Sequence, residues 1–378
     1  MKAATYVKLS PVEHVLQRPD SYCGSTKPRT QDEYVYTAEG RLEQRSVSYT
    51  PALVRCFLEI LSNATDNVTR NTEAVKQTKI VVDLQPTTVS VLNDGSTIPI
   101  EIHQTEKVYN HTLIFGHLLT GSNYDDTVGR TTVGRNGVGA KLANIFSTVF
   151  TVEGVDSVKG LKLVQTWTNN MSKTTGPVVS KSRLKGYTKI YFEPDLQRFP
   201  GVTALPVELF SKLVFDAAMI TPNVRVTLNG ERLGSRLDAY LTFINPNAPI
   251  VKVLTEGAVK IWATASDSGF EHISFVNGLP TRNGGRHVDA AVEAVCRPLV
   301  NKLKVTIREV KPFLRLLVVA TVVNPEFEGQ EKSQLEAPVV RVPPLSPATV
   351  GKLLKTLHQQ GNSLESLVKQ VQTVKNTK

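Results

Sequence analysis

Cysteine is almost missing from this 378-residue chain: Cys23, Cys56 and Cys296 are widely separated and odd in number. That excludes a disulfide framework and a cysteine-built zinc site, and it fits a reducing compartment. Long apolar runs are missing too, and none approaches the ~18 residues of a membrane helix. The opening Met1-Lys2-Ala3-Ala4-Thr5-Tyr6 lacks the apolar core of a secretory signal. No internal repeat is visible. What remains is the composition of an ordinary globular protein, 40% hydrophobic and 21% charged. Its length exceeds the ~250–300 residues at which single cores usually stop growing, so two domains are expected. A formal charge of +10 permits an acidic partner such as nucleotide or DNA without demanding one.

The chain is organised around Phe57-Leu58-Glu59-Ile60-Leu61-Ser62-Asn63-Ala64-Thr65-Asp66-Asn67-Val68-Thr69-Arg70, opened by Thr50-Pro51. Read as a helix, it gathers Leu53, Phe57, Ile60, Leu61, Ala64 and Val68 on one face. Glu59, Asn63, Asp66 and Arg70 then line the opposite face. A carboxylate and an amide one turn apart suit a general base beside a hard-metal ligand, or else simply a solvated polar face. Upstream, Ser10, Pro11 and Glu13 predict a capped helix, and residues 26–50 a hairpin or an excursion. Downstream, Lys79–Leu84 and Thr87–Leu92 read as strands, the second running into the turn Asn93-Asp94-Gly95.

Gly134-Arg135-Asn136-Gly137-Val138-Gly139-Ala140-Lys141 places three glycines within six residues before an apolar helix, Leu142–Phe146. Such a backbone can approach a ligand closely, and the free N–H groups of the next helix favour an anion, phosphate above all. The spacing is neither a Walker A loop nor a dinucleotide fingerprint. Residues Leu161–Thr168, Lys189–Phe192 and Val224–Leu228 are predicted strands, with a helix over Val207–Met219. A boundary falls near residue 235. Beyond it, strands Ile261–Ala265 and His272–Val276, a helix Val288–Lys302 and the apolar strand Leu314–Val323 predict a β-α-β layer. A basic, Gln-rich helix is predicted from Ser346 to Lys378.

Taken in order, Glu59-x-x-x-Asn63, Asn93-x-Gly95, Gly134 to Lys141 and Gln330-x-Lys332 resemble the ATPase region of eukaryotic-type DNA topoisomerase II. That region belongs to the wider family of gyrase, Hsp90, MutL and histidine kinases. The blocks Arg18–Ser25, Ser122–Asp126, Trp167–Met171 and Phe275–Asp289 extend the resemblance over essentially the whole chain. It implies an α+β fold of two domains. Residues 1–235 would form a Bergerat-type α/β sandwich binding ATP, and 236–378 a β-α-β transducer domain like ribosomal protein S5.

The resemblance also assigns roles. Glu59 matches the carboxylate that activates the attacking water, Asn63 the amide that holds Mg²⁺, and Asn93 the adenine-reading position, helped by Thr188. Asn67, Ser122 and Asn123 match further nucleotide contacts. Gly134, Arg135, Asn136, Gly137, Val138, Gly139, Ala140 and Lys141 match the phosphate lid. Lys332, with Gln330, matches the lysine that reaches the γ-phosphate from the second domain. Tyr6 belongs to the arm that crosses to a partner subunit. ATP and Mg²⁺, a nucleotide-dependent homodimer, non-specific double-stranded DNA, no membrane, and a nuclear, organellar or viral location follow from the same resemblance. Arg282, Arg286, Lys302 and Lys304 are the DNA-phosphate candidates.

Three positions depart from the family pattern: Thr97 and Gly121 stand where glycine and serine are usual, and Glu331 stands where threonine is usual. A Glu-Gly-Asp-Ser metal module and a DNA-breakage core are missing. The expectation is therefore the amino-terminal part of a larger enzyme, an entrance gate unable to cut DNA. The alternatives are a nucleotide-binding module with little turnover, or a mismatch-repair or chaperone ATPase.

Overall fold

The computed structural model describes residues 6–120, 129, 131 and 137–359. They divide into two compact units. The first runs to Ser235 without Gly129–Thr131, and the second takes Gly129–Thr131 with everything from Arg236.

The first unit opens with the helix Pro11–Gln17. Its capping box is complete: Ser10 Oγ accepts from the Glu13 N–H at 3.3 Å and Glu13 Oε2 accepts from the Ser10 N–H at 2.8 Å. Residues 26–50 resolve as a hairpin, Arg29–Tyr36 against Leu42–Tyr49. The Tyr36 ring stacks on Phe215 at 4.9 Å.

The main sheet has nine strands among the described residues. Its order is Glu231–Arg232, Arg225–Leu228, Lys79–Leu84, Val89–Asp94, Tyr187–Pro194, Ser147–Asp156, Leu161–Thr168 and Lys173–Thr174, with Val178–Lys181 also on Leu161–Thr168. Only the pairing of Arg225–Leu228 with Lys79–Leu84 is parallel. Alternate residues Ile80, Val82, Val89, Val91, Phe150, Val152, Ile190 and Phe192 are buried. The intervening Glu153, Lys162, Tyr187 and Tyr191 stay partly exposed, as expected where helices cover one face of an antiparallel sheet.

Those helices are Pro51–Asp66, Gly139–Ile145 and Val207–Ile220. Pro51–Asp66 is wedged between the sheet and both other helices, with the Phe57 and Phe210 rings stacked at 4.4 Å. Here the helical-wheel reading needs correction, because every residue from Pro51 to Leu61 is buried, Glu59 included. A helix packed on several sides has no solvated face along that stretch. The α-helix also yields after Asp66 to a tighter turn, Asn67–Arg70, so Arg70 leaves the line of Glu59 and Asn63.

In the second unit Leu314–Ala320 occupies the centre of a five-stranded sheet, as its apolar run predicts. The order is Val251–Leu254, Val259–Ala265, Leu314–Ala320, Glu271–Val276, Leu279–Pro280. Glu271–Val276 and Leu314–Ala320 are parallel, and the helix Arg286–Leu303 lies between them in sequence, completing the β-α-β unit. The sequence reading did not include the strand Val251–Leu254 or the small sheet of Gly284–Gly285, Gln334–Ala337 and Glu326–Phe327. The described part of the last helix, Pro347–Gln359, buries Val350, Leu353, Leu354 and Leu357 at helical spacing. Residues 360–378 of the predicted helix lie outside the described residues.

Candidate active site

Glu59 sits in the buried middle of Pro51–Asp66, with its side chain 10% exposed. Arg55, one turn earlier and 2% exposed, donates from Nη2 to Glu59 Oε1. The second guanidinium nitrogen, Nη1, finds no hydrogen-bond partner among the described residues. The other carboxylate oxygen lies against the first residue of the helix Gly139–Ile145. A Cβ on Gly139 would overlap Glu59 Oε2, so only glycine lets this backbone come so close. The last glycine of the Gly-rich segment and the candidate base are thereby in direct contact. One carboxylate oxygen is tied to a cation, and the other faces the segment predicted to wrap phosphate.

Asn63, one turn further on, is exposed. Asn67 is not: it is 2% exposed and its Nδ2 donates to the Asp94 carbonyl at 2.9 Å. That bond ties the end of the helix to the Asn93-Asp94-Gly95 turn. Asn67 Oδ1 has no partner among the described residues. Asn93 and Thr188 are register partners on adjacent strands, so the sheet brings together two residues 95 positions apart in the chain (188 minus 93). Asp94 is engaged in holding its own strand, its carboxylate accepting from the backbone of Thr78 and Lys79 at 2.8 Å each. Thr97 is accommodated by Gly186: its Cγ2 stands 2.7 Å from where a Gly186 Cβ would be.

Lys141 is 3% exposed, and its Nζ donates to the carbonyls of Thr120 and Gly137, both at 2.6 Å. Burial pushes its ammonium down to about 8 from the usual lysine range. Val138 and Ala140 flank Gly139 at the start of the short helix. Ser122, Asn123, Gly134, Arg135 and Asn136 lie outside the described residues.

In the second unit Lys332 and Gln330 occupy the loop between the short strands Glu326–Phe327 and Gln334–Ala337. Lys332 has a left-handed backbone, φ +53°, and its N–H points to the Gly329 carbonyl at 3.4 Å. No group of three His, Cys, Asp or Glu able to hold a metal exists among the described residues. No described helix is long and apolar enough to cross a membrane.

Sequence reasoning passed over two residues. Arg55 carries a signal that was there to be read: arginine four residues before the glutamate, on an otherwise apolar stretch. His111 carries none. It is fully buried between Asn110 and Thr112, and neither ring nitrogen has a partner among the described residues. Burial holds its imidazole down at about 4, so the ring is neutral.

The family model described as DNA gyrase B matches residues 239–378. DNA topoisomerase 2 of Arabidopsis thaliana is 40% identical over 353 residues, 87% of this chain and 24% of that protein. The Drosophila melanogaster protein of the same name is 39% identical over 350 residues, 87% of this chain and 24% of that protein. The chain thus spans about a quarter of the length of these curated relatives. Among solved structures, the ATPase and transducer domains of DNA topoisomerase II from Balamuthia mandrillaris superpose with a TM-score of 0.90. Identity there is 34%, and 100% of each chain is covered. The ATPase region of Saccharomyces cerevisiae topoisomerase II gives a TM-score of 0.87 at 35% identity, covering 94% of this chain and 97% of that one. With its full length matched by such a region at this identity, the chain belongs to the type II DNA topoisomerase family and corresponds to its ATPase and transducer domains.

Proposed function

We propose that this chain binds and hydrolyses ATP and acts as the nucleotide-operated dimerisation gate of a type II topoisomerase. The observation that carries the reading is the buried Glu59 carboxylate, held by Arg55 through one oxygen and pressed by the other against Gly139. Arg55 orients the carboxylate, and Glu59 is the group that would take a proton from a water beside the terminal phosphate. Among the described residues Lys141 is bonded to two neutral carbonyls, and a triphosphate would offer it charge compensation. Asn93 and Thr188 form the base-reading end of the site, with Asn67 bracing the turn between them and the helix.

Mg²⁺ fits the residues present. Asn63 offers one exposed amide oxygen a turn beyond Glu59, and Mg²⁺ takes few protein ligands when phosphate oxygens and waters supply the rest. When bound it would neutralise developing phosphate charge. Lys332 of the second domain is proposed to contact the γ-phosphate, making that domain sensitive to hydrolysis. Dimerisation with Tyr6 in the exchanging arm belongs to the same proposal. So does weak, phosphate-directed DNA binding, for which the exposed Arg286, Lys302 and Lys304 are candidates.

The test is phosphate release from ATP with and without Mg²⁺, alongside sedimentation with and without a non-hydrolysable analogue. The expected results are Mg²⁺-dependent turnover and a doubling of mass with the analogue. Turnover at the buffer rate removes the enzymatic reading, and an unchanged mass removes the gate.

A further inference from the structure

Residues 281–287 of the second domain are held by both backbone and side-chain hydrogen bonds. The Thr281 N–H donates to the Ser274 carbonyl at 2.8 Å, and the Gly284 N–H to the Thr281 carbonyl at 2.9 Å. A buried chain of side chains reinforces them: Ser274 Oγ lies 2.7 Å from Thr281 Oγ1, which lies 2.9 Å from His287 Nε2. Thr281 and His287 are completely buried. The turn is thereby fastened both to the strand Glu271–Val276 and to the first turn of the helix Arg286–Leu303.

From this fixed turn, contacts run to the loop that carries Lys332. Gly284 and Gly285 pair in parallel with Gln334 and Leu335. At Gly285, φ +115°, a Cβ would overlap the Leu335 backbone, so the two segments touch main chain to main chain. One residue earlier, Asn283 bonds to the residue that follows Lys332. Its N–H donates to the Ser333 carbonyl at 2.9 Å and its Nδ2 donates to Ser333 Oγ at 3.0 Å. Ser333 directly follows Lys332, whose left-handed φ a non-glycine residue rarely adopts without external support.

We propose that Asn283 is a positioning residue for Lys332, acting through its two hydrogen bonds to Ser333. The bonds hold Ser333 by its carbonyl and its hydroxyl, anchoring the chain directly after Lys332 and so the direction in which the lysine side chain departs from the loop. Asn283 itself touches no substrate. Its role rests on the reading of Lys332 as the γ-phosphate contact, and it extends that contact back to the core of the second domain. Because the backbone bond survives substitution by alanine, the part that Asn283→Ala removes is the bond from Nδ2 to Ser333 Oγ.

The experiment uses Asn283→Ala, Ser333→Ala, Ser333→Thr, Lys332→Ala, the Asn283→Ala/Ser333→Ala pair and the Asn283→Ala/Lys332→Ala pair. Each is assayed for turnover, for binding of ADP and of a non-hydrolysable ATP analogue, and for thermal stability. One hydrogen bond of ordinary strength corresponds to a loss of about three- to tenfold. Asn283→Ala and Ser333→Ala are each expected to lose that factor in kcat and in analogue affinity, with ADP affinity unchanged and melting lowered by no more than about a few degrees. The Asn283→Ala/Ser333→Ala pair should lose no more than either single variant. Ser333→Thr, which keeps the hydroxyl, should behave as the parent. In the Lys332→Ala background, Asn283→Ala should leave analogue affinity unaltered. If Asn283→Ala turns over normally while Lys332→Ala does not, the positioning role is wrong and the γ-phosphate reading stands. If Lys332→Ala turns over normally, the γ-phosphate reading itself is wrong. A further loss from Asn283→Ala in the Lys332→Ala background, or equal loss of ADP and analogue binding, makes Asn283 a structural residue and overturns the proposal.

Discussion

Replacing Glu59 by glutamine is the natural way to silence the candidate base, and the structure gives that substitution a second consequence. Glutamine keeps the volume, and its carbonyl oxygen can still accept from Arg55, so packing against Gly139 is preserved. What disappears is the charge that compensates a guanidinium only 2% exposed. Removing one partner of a buried ion pair costs about 3–5 kcal/mol, and the retained hydrogen bond places this case near about 3 kcal/mol. For a domain of this size each kcal/mol moves the melting temperature by about 2–4 °C, so Glu59→Gln should melt about 6–12 °C below the parent. Arg55→Met/Glu59→Gln removes both charges together and should recover most of that loss. Turnover will not follow stability: both variants lack the base and should lose about 10²–10⁴-fold. The assay is a thermal melt and a phosphate-release measurement on parent, single and double variants near neutral pH. A Glu59→Gln protein melting with the parent would refute the dependence of Arg55 on that charge. Recovery of turnover in the double variant would refute Glu59 as the base.

Two further outcomes follow from buried titrating groups. Lys141 titrates at about 8, so affinity for a non-hydrolysable ATP analogue should weaken as its ammonium is lost on raising the pH from about 7 to 9. Lys141→Met should bind more weakly and show no such dependence in the same calorimetric titration. His111 titrates at about 4, below its unfolded value near 6.5, so unfolding takes up a proton between those limits. Its contribution to stability is intact above about pH 6.5 and declines as pH falls toward 4, reaching a loss of about 2 kcal/mol at pH 5. His111→Phe should therefore lose less stability than the parent between neutral pH and pH 5 in denaturant melts. An identical pH dependence in the two proteins contradicts the assignment.

Much of this fold is local information. Ser10, Pro11 and Glu13 specify a helix start by hydrogen bonds spanning three residues. The apolar run from Leu314 is continuous because its strand has neighbours on both sides and cover on its faces. The β-α-β order is likewise visible once Val276, Arg286 and Leu314 bound their elements. Two-residue strands are not legible. Gly284–Gly285 and Glu326–Phe327 are too short for alternation to show, and they exist because Gln334–Ala337 passes between them. The strand Ser147–Asp156 is not legible either, because its first half follows an apolar helix without a change of composition.

The sequence by itself determined which chemical groups are available and in what order. A carboxylate and an amide lie four residues apart, glycines precede an apolar helix, and a lysine loop follows a buried strand. Local spacing and backbone preference are enough for that, because they act over a few residues. Tertiary structure decided what those groups are doing. Asn63 and Asn67 carry the same amide one turn apart, yet one is exposed and the other buried against Asp94. Glu59 belongs by periodicity to a polar face, but its helix is packed by two helices and a sheet, and the buried carboxylate is paired with Arg55. Asn283 acquires a role only because Ser333, fifty positions away, is brought beside it. Burial, charge pairing and positioning depend on what packs against a residue, and those neighbours come from distant parts of the chain.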